Sequence, residues 1–174
     1  MTKQRNFTRL AWMLGAAGLM AATAHAQPQD KVRIGFVTDM SSLYADVEGK
    51  NGALAMQMAI DDFGGKVLDA PIEIVTADHQ NKPDIASNIA RQWYDREQVD
   101  SIMELTTSSV ALAVQGISRE LGKVSLVTGA ATAELTGAQC SPTGFHWAYD
   151  THMLAVGTGG ALVEQGGFQR RALA

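Results

Sequence analysis

The chain has 174 residues, 14 Lys+Arg against 18 Asp+Glu, and one cysteine. A net charge of −4 makes nucleic acid and anionic membrane surfaces poor partners. A lone thiol, Cys140, excludes an internal disulfide, so packing must supply the stability.

The N-terminal stretch "MTKQRNFTR" carries Lys3, Arg5 and Arg9 and no acid. "LAWMLGAAGLMAA" follows, apolar and small, and then "TAHA" with Ala24 and Ala26. This is the three-part plan of a secretory signal peptide over 1–26, with cleavage expected after Ala26. The apolar run is short for a membrane span, which takes about 20 residues. No cysteine follows the cleavage position and the arginines are unpaired, which points to general export into the periplasm. Cleavage leaves 148 residues, with 11 of the 14 Lys+Arg against all 18 Asp+Glu, a net −7. That length suits one domain with a real core.

Strand and helix patterns then alternate. "KVRIGFVT" (31–38) is a short β-rich run and reads as a buried strand. After the turn-rich "SSLYADVEGKNG", Ala53, Met56, Ile60 and Phe63 share one helical face, and Gly64–Gly65 stops the helix. "PIEIVTA" (71–77) is the second strand; Pro83 and Asp84 open a second helix with Ile85, Ile89 and Trp93 on its face beside Ala86 and Ala90. "DSIMEL" (100–105) is the third strand. "TTSS" caps a third helix whose stripe is Val110, Val114, Ile117 and Leu121. "KVSLVTG" (123–129) is the fourth strand, "FHWAY" (145–149) a short fifth, and 150–165 a fourth helix.

This alternation predicts an α/β fold, a parallel sheet with helices on both faces. Ligands of open parallel sheets bind outside the carboxyl ends of the strands. That rule selects four loops: "TDMSSLYAD", "DHQN", "LTTSSVAL" and "TGAATAELTG". "TTSS" sets hydroxyls and free N–H groups at a helix N-terminus, which suits a carboxylate. "GAAT" lets the backbone approach a ligand, with one hydroxyl in Thr132. Each loop alone reads as a cap or a turn; two on neighbouring strand ends favour binding.

Catalytic and metal patterns are thin. Asp78 and His79 are neighbours in sequence, and strand neighbours point to opposite faces. His25, His79, His146 and His152 show no metal-ligand spacing. Cys140 reads as a loop thiol. "GTGGAL" (157–162) falls inside an expected helix, so its glycines are expected to serve close helix packing rather than a dinucleotide. No phosphate loop and no nucleophile elbow occur.

The segments "KVRIGFVTDMSSLYADVEGKNGALAMQMAIDDFGG", "ADHQNKPDIASNIARQWYD", "TTSSVALAV", "GAATAELTG" and "CSPTGFHWAYDTHMLA", behind an export signal, carry a resemblance. The chain resembles the N-terminal part of periplasmic substrate-binding proteins of the branched-chain amino acid type, the solute receptors of ATP-driven importers. The likeness runs from about Lys31 to Gly167. It implies a type I lobe, one of two that close on a ligand. It implies no catalysis and no cofactor, and as partners an amino acid, aromatic acid or amide and a membrane permease, with the receptor a monomer.

By the same resemblance Thr107 and Ser108 contact the ligand carboxylate. Ala130 and Thr132 supply backbone and hydroxyl contacts, and Ser41 and Tyr44 close over the ligand. Tyr149 and Asp150 lie near the cleft. Relatives often carry Ser-Gly where this chain has Ser41–Ser42, and "GAATAELT" aligns with a one-residue gap. After "VEQGG" relatives continue into a second lobe. Here "FQRRALA" follows, so 27–167 is expected to be an incomplete N-terminal lobe and 168–174 an aberrant or truncated tail. A lobe alone is expected to bind weakly or not at all. The alternatives are a ligand-sensing domain of a regulator or chemoreceptor, or a small flavodoxin-like enzyme.

Overall fold

The computed structural model describes residues 30–165. The expected signal segment 1–26, its cleavage after Ala26 and the expected tail 168–174 lie outside the described residues.

Six strands form one sheet in the order β2-β3-β1-β4-β5-β6. They are β1 (Val32–Thr38), β2 (Lys66–Val67), β3 (Ala70–Asp78), β4 (Ser101–Glu104), β5 (Val124–Val127) and β6 (Gly144–His146). β1 runs parallel to both β3 and β4, β4 to β5, and β5 to β6. Three long helices connect them: α1 (Gly49–Asp62), α2 (Pro83–Asp95) and α3 (Ser108–Glu120). The expected parallel α/β lobe is therefore the observed one.

Two features of the sheet differ from the sequence reading. β2 is an antiparallel edge strand paired to β3. Its turn, Leu68–Asp69, has both residues left-handed, at φ 49° and 66°. Such turns usually carry Asn-Gly or Asp-Gly, so Leu-Asp gave no hairpin signal. β6 occupies 144–146 rather than the expected 145–149.

The helices cover the two faces unequally. Gly35 in β1 lies under α2: a Cβ there would stand 2.5 Å from the Trp93 ring and 3.2 Å from Ile102. The absent side chain lets α2 lie close on the sheet. On that side Ala86, Ala90, Trp93 and Tyr94 of α2 and Val110, Ala111, Val114 and Ile117 of α3 pack with Val37, Ile102 and Val127 into one core. Ala86 and Ala90 are fully buried, while Ile85 and Ile89 are half-buried, because the close approach puts the small residues innermost. The Tyr94 hydroxyl reaches Ser118 Oγ at 2.9 Å and the Val124 carbonyl at 3.0 Å, tying α2 to α3 and β5. Burial pushes its phenol up to about 12.

Phe36 faces the other way, towards Gly52 of α1. The sheet row on that side runs Phe36, Met103, Leu126, Phe145. Phe36 is buried, Met103 and Leu126 are half-buried, and Phe145 is exposed. The expected α1 stripe holds at Ile60 and fails at Phe63, which is 67% exposed. α1 starts at Gly49 and ends at Asp62, so Phe63 caps it instead of packing beneath it.

The last helical segment needs the larger correction. It consists of α4 (Thr151–Leu154), a wide π turn (Ala155–Gly160) and α5 (Ala161–Glu164), and none of their residues is buried. A Cβ on Gly157, Gly159 or Gly160 would meet nothing within 4 Å among the described residues. The expected close helix packing at "GTGG" is therefore absent there. Glycine weakens the ordinary helical ladder, and the wide turn falls on the glycine-rich stretch.

Candidate ligand-binding site

Parallel strands end on the same edge, so the loops after β1, β3, β4, β5 and β6 gather there. Their side chains divide into those that brace the edge and those left without partners.

The first loop is organised by Asp39, which is fully buried. Its Oδ1 accepts the Ser41 and Ser42 amides at 3.3 and 2.8 Å. Its Oδ2 accepts the Tyr44 amide at 2.9 Å and the Ser42 hydroxyl. Burial works to raise this carboxyl; the Ser42 hydroxyl and the Tyr44, Ser42 and Ser41 amides outweigh it and hold it below its usual value. Asp78, at the end of β3, accepts the Ser41 hydroxyl at 2.5 Å, the Met40 amide at 3.0 Å and the Gln80 amide at 2.8 Å. Its carboxyl is also held low, by Ser41, Met40 and Gln80 against burial and the Asp39 charge. Ser41 is thus committed to Asp78 as a donor. Tyr44 stands at the rim, 36% exposed. The sequence did carry a signal for Asp39, since an Asp followed by Ser-rich turn residues commonly binds its own backbone.

His79 follows Asp78 and is fully buried. Its Nδ1 accepts the Asn81 amide at 2.9 Å, which places the proton on Nε2. Nε2 has no partner. Burial lowers its pKa against the opposing charges of Asp39 and Asp78.

The third loop leaves β4 through two left-handed residues, Glu104 (φ 86°) and Leu105 (φ 60°). Leu105 is fully buried. Glu104 accepts the Thr106 amide and hydroxyl, each at 3.0 Å, and Thr106 Oγ1 also lies 3.0 Å from Thr38 Oγ1. The Thr128 amide donates to the Glu104 carbonyl at 2.9 Å, joining this loop to the next. The brace sets Thr107 at the N-cap of α3 and Ser108 in its first turn. Thr107 makes no capping bond, contrary to the expected cap. Its Oγ1 is buried without a partner.

In the fourth loop Ala130 is 1% exposed, and its carbonyl accepts His146 Nε2 at 2.6 Å. The Ala131 carbonyl accepts the Thr151 amide at 2.8 Å. Thr132 caps a short 3-10 turn, Ala133–Leu135, by accepting the Glu134 amide at 3.3 Å. Gln115 of α3 pins this segment by donating to the Leu135 and Gln139 carbonyls at 3.1 and 2.8 Å. Tyr149 is 51% exposed, and Asp150 caps α4 by accepting the Met153 amide at 2.7 Å. Thr151 bonds to both Ala131 and Ala133, so the segment of Tyr149 and Asp150 adjoins that of Ala130 and Thr132. Among the described residues no three His, Cys, Asp or Glu form a metal-holding group, and no helix is long and apolar enough to cross a membrane.

Residues 31–174 match the family described as periplasmic binding protein. The chain belongs to the periplasmic binding protein family. A periplasmic binding protein of Burkholderia mallei superposes with a TM-score of 0.77 at 52% identity, over 79% of this chain and 37% of that one. A branched-chain amino acid ABC transporter ligand-binding protein of Burkholderia xenovorans gives 0.74 at 38% identity, over 78% and 36%. A solute-binding protein of Rhodopseudomonas palustris, solved with benzoate, gives 0.72 at 25% identity, over 78% and 38%. No curated protein matches. This periplasmic binding protein therefore spans little more than a third of the length of these relatives. The family is one of substrate-binding proteins, not enzymes.

Proposed function

We propose that residues 31–165 are one lobe of an extracytoplasmic solute receptor serving an ATP-driven importer. Its ligand is a small carboxylate, an amino acid or an aromatic acid, held at the strand ends. The observation that carries this is the Thr107 hydroxyl, buried without a partner where α3 begins. A helix N-terminus offers free amides and a partial positive charge, to which an anionic group is matched. Ser108 stands beside it, Ala130 and Thr132 form the neighbouring wall, Ser41 and Tyr44 the rim, and Tyr149 and Asp150 the far side. The family supports the transport reading, and two relatives named above are an amino acid transporter's binding protein and a benzoate complex. A permease is the membrane partner of such a receptor.

Pockets of tight binders enclose most of the ligand surface. One wall encloses less, so binding by this chain alone is weak, on the order of millimolar. Saturation-transfer NMR on the chain tests the reading with leucine, benzoate and their uncharged amides. Saturable signals from the carboxylates that the amides do not match are expected. Equal signals from acids and amides, or none from either, would contradict it.

A further inference from the structure

Glu48 closes the first loop as the residue before α1, and Glu104 closes β4. Gly129, in the fourth loop, touches both. A Cβ on Gly129 would stand 2.8 Å from Glu104 Oε1, 2.9 Å from Thr106 Cα and 3.2 Å from Glu48 Oε1. The two carboxyl oxygens thus face one point, within about 6 Å of each other, the range in which like charges oppose joint ionisation.

Neither carboxyl has an ion-pair partner among the described residues. Glu104 is 1% exposed and accepts only from Thr106 in its own loop. Glu48 Oε2 is buried with no partner. Among the described residues the ion pairs involve Lys31, Arg33 and Arg91, none with these two acids. The charged or titratable groups on the surrounding elements are Asp39, Tyr44 and Asp46 in the first loop, Lys50, Asp61 and Asp62 in α1, Asp78 at the end of β3, His79 after it, Glu134 in the fourth loop and His146 in β6. Asp46 and Lys50 are exposed. Asp39 and Asp78 bind loop amides and hydroxyls, His79 accepts the Asn81 amide, and His146 holds the Ala130 carbonyl.

We propose that Glu48 and Glu104 carry one proton between them, and that this pair fastens the first loop and the start of α1 to the ends of β4 and β5. A buried and a half-buried carboxylate without a cation are costly together, and one retained proton removes much of that cost. Burial raises the Glu48 carboxyl in the same sense. A group whose folded pKa lies above its unfolded one binds its proton more readily when folded. Its stabilisation is complete below the unfolded carboxylate range and is lost as pH rises through the folded pKa. The inference goes beyond the transport reading.

Two measurements on the full chain test it. Infrared spectra with ¹³C-labelled glutamate carboxyls are expected to show a protonated glutamate at neutral pH that Glu48→Gln abolishes. Thermal melts from roughly pH 5 to 8 are expected to show the wild-type Tm falling about 3 °C or more relative to Glu48→Gln. Absence of the protonated band in the wild type, its persistence in Glu48→Gln, or parallel melting profiles would overturn the proposal. If Glu48→Gln fails to fold, the wild-type spectrum decides: a band present at neutral pH and lost on alkaline titration is expected, and no band overturns it.

Discussion

The Ser41 hydroxyl donates to Asp78 across 2.5 Å, joining the loop after β1 to the end of β3. Asp78 also holds the Met40 and Gln80 amides. Asp78 therefore anchors the start of the loop whose Tyr44 amide Asp39 holds. Asp78→Ala strands two amides and a hydroxyl, and an unsatisfied group costs about 1–3 kcal/mol when buried. One of these bonds is partly buried and two are exposed, so a loss at or below the lower end, about 1 kcal/mol, is expected. Urea unfolding of the variant against the wild type measures it. No change in midpoint would show that solvent replaces the brace.

Asp39 and Asp78 both titrate below their usual values. A carboxyl depressed by folding adds stability that is present above its unfolded pKa and lost as pH falls through the folded one. Acid is therefore expected to destabilise the chain below about pH 4. Asp39→Asn is expected to be less stable than the wild type at neutral pH and to show a shallower acid slope. Urea midpoints across the acid range check this, and an unchanged slope would contradict it.

Thr107 separates stability from binding. Its hydroxyl makes no bond, so Thr107→Val removes a buried unsatisfied group without breaking a cap. The expected result is an unchanged or raised Tm together with loss of the carboxylate signal in NMR. A stability loss as large as that of an ordinary cap substitution, about 1 kcal/mol, would mean that the hydroxyl caps α3 in solution.

Gly35 tests the packing of α2. Gly35→Ala puts a methyl 2.5 Å from the Trp93 ring, deep in the core. Overpacking of this kind costs typically about 1–3 kcal/mol. Denaturant unfolding is expected to show that loss, with a blue or red shift of Trp fluorescence if the ring moves. Wild-type stability would show that α2 yields.

The order of the main strands and helices was legible because buried parallel strands and amphipathic helices leave opposite periods in the chain. The Ala53–Met56–Ile60 face and the Val110–Val114–Ile117 stripe both reach the core or its edge. What was not legible came mostly from turns and helix ends whose residues lack the usual local signals. Leu68–Asp69 turns a hairpin without turn-forming residues. Phe63 fitted the helical period but falls one residue past the end of α1. The glycines at 157–160 read as packing positions, and nothing among the described residues packs on them. At the candidate site, the strand-end rule selected the loops from the sequence, while most of the braces within them were not expected. Asp39 left a local signal in the Ser-rich turn that follows it, whereas Asp78 reaches Met40 and Ser41 from another strand end, a contact that a linear sequence does not display.

The most direct test of the central claim is residue-resolved amide NMR of the chain titrated with leucine and with benzoate. The account expects saturable shifts confined to one edge, at 41–44, 105–108 and 128–132, and in Thr107→Val their loss at 105–108. Shifts centred instead on Lys31, Arg33 and Asp100, at the opposite ends of the strands, or no saturable shift with either ligand, would contradict it.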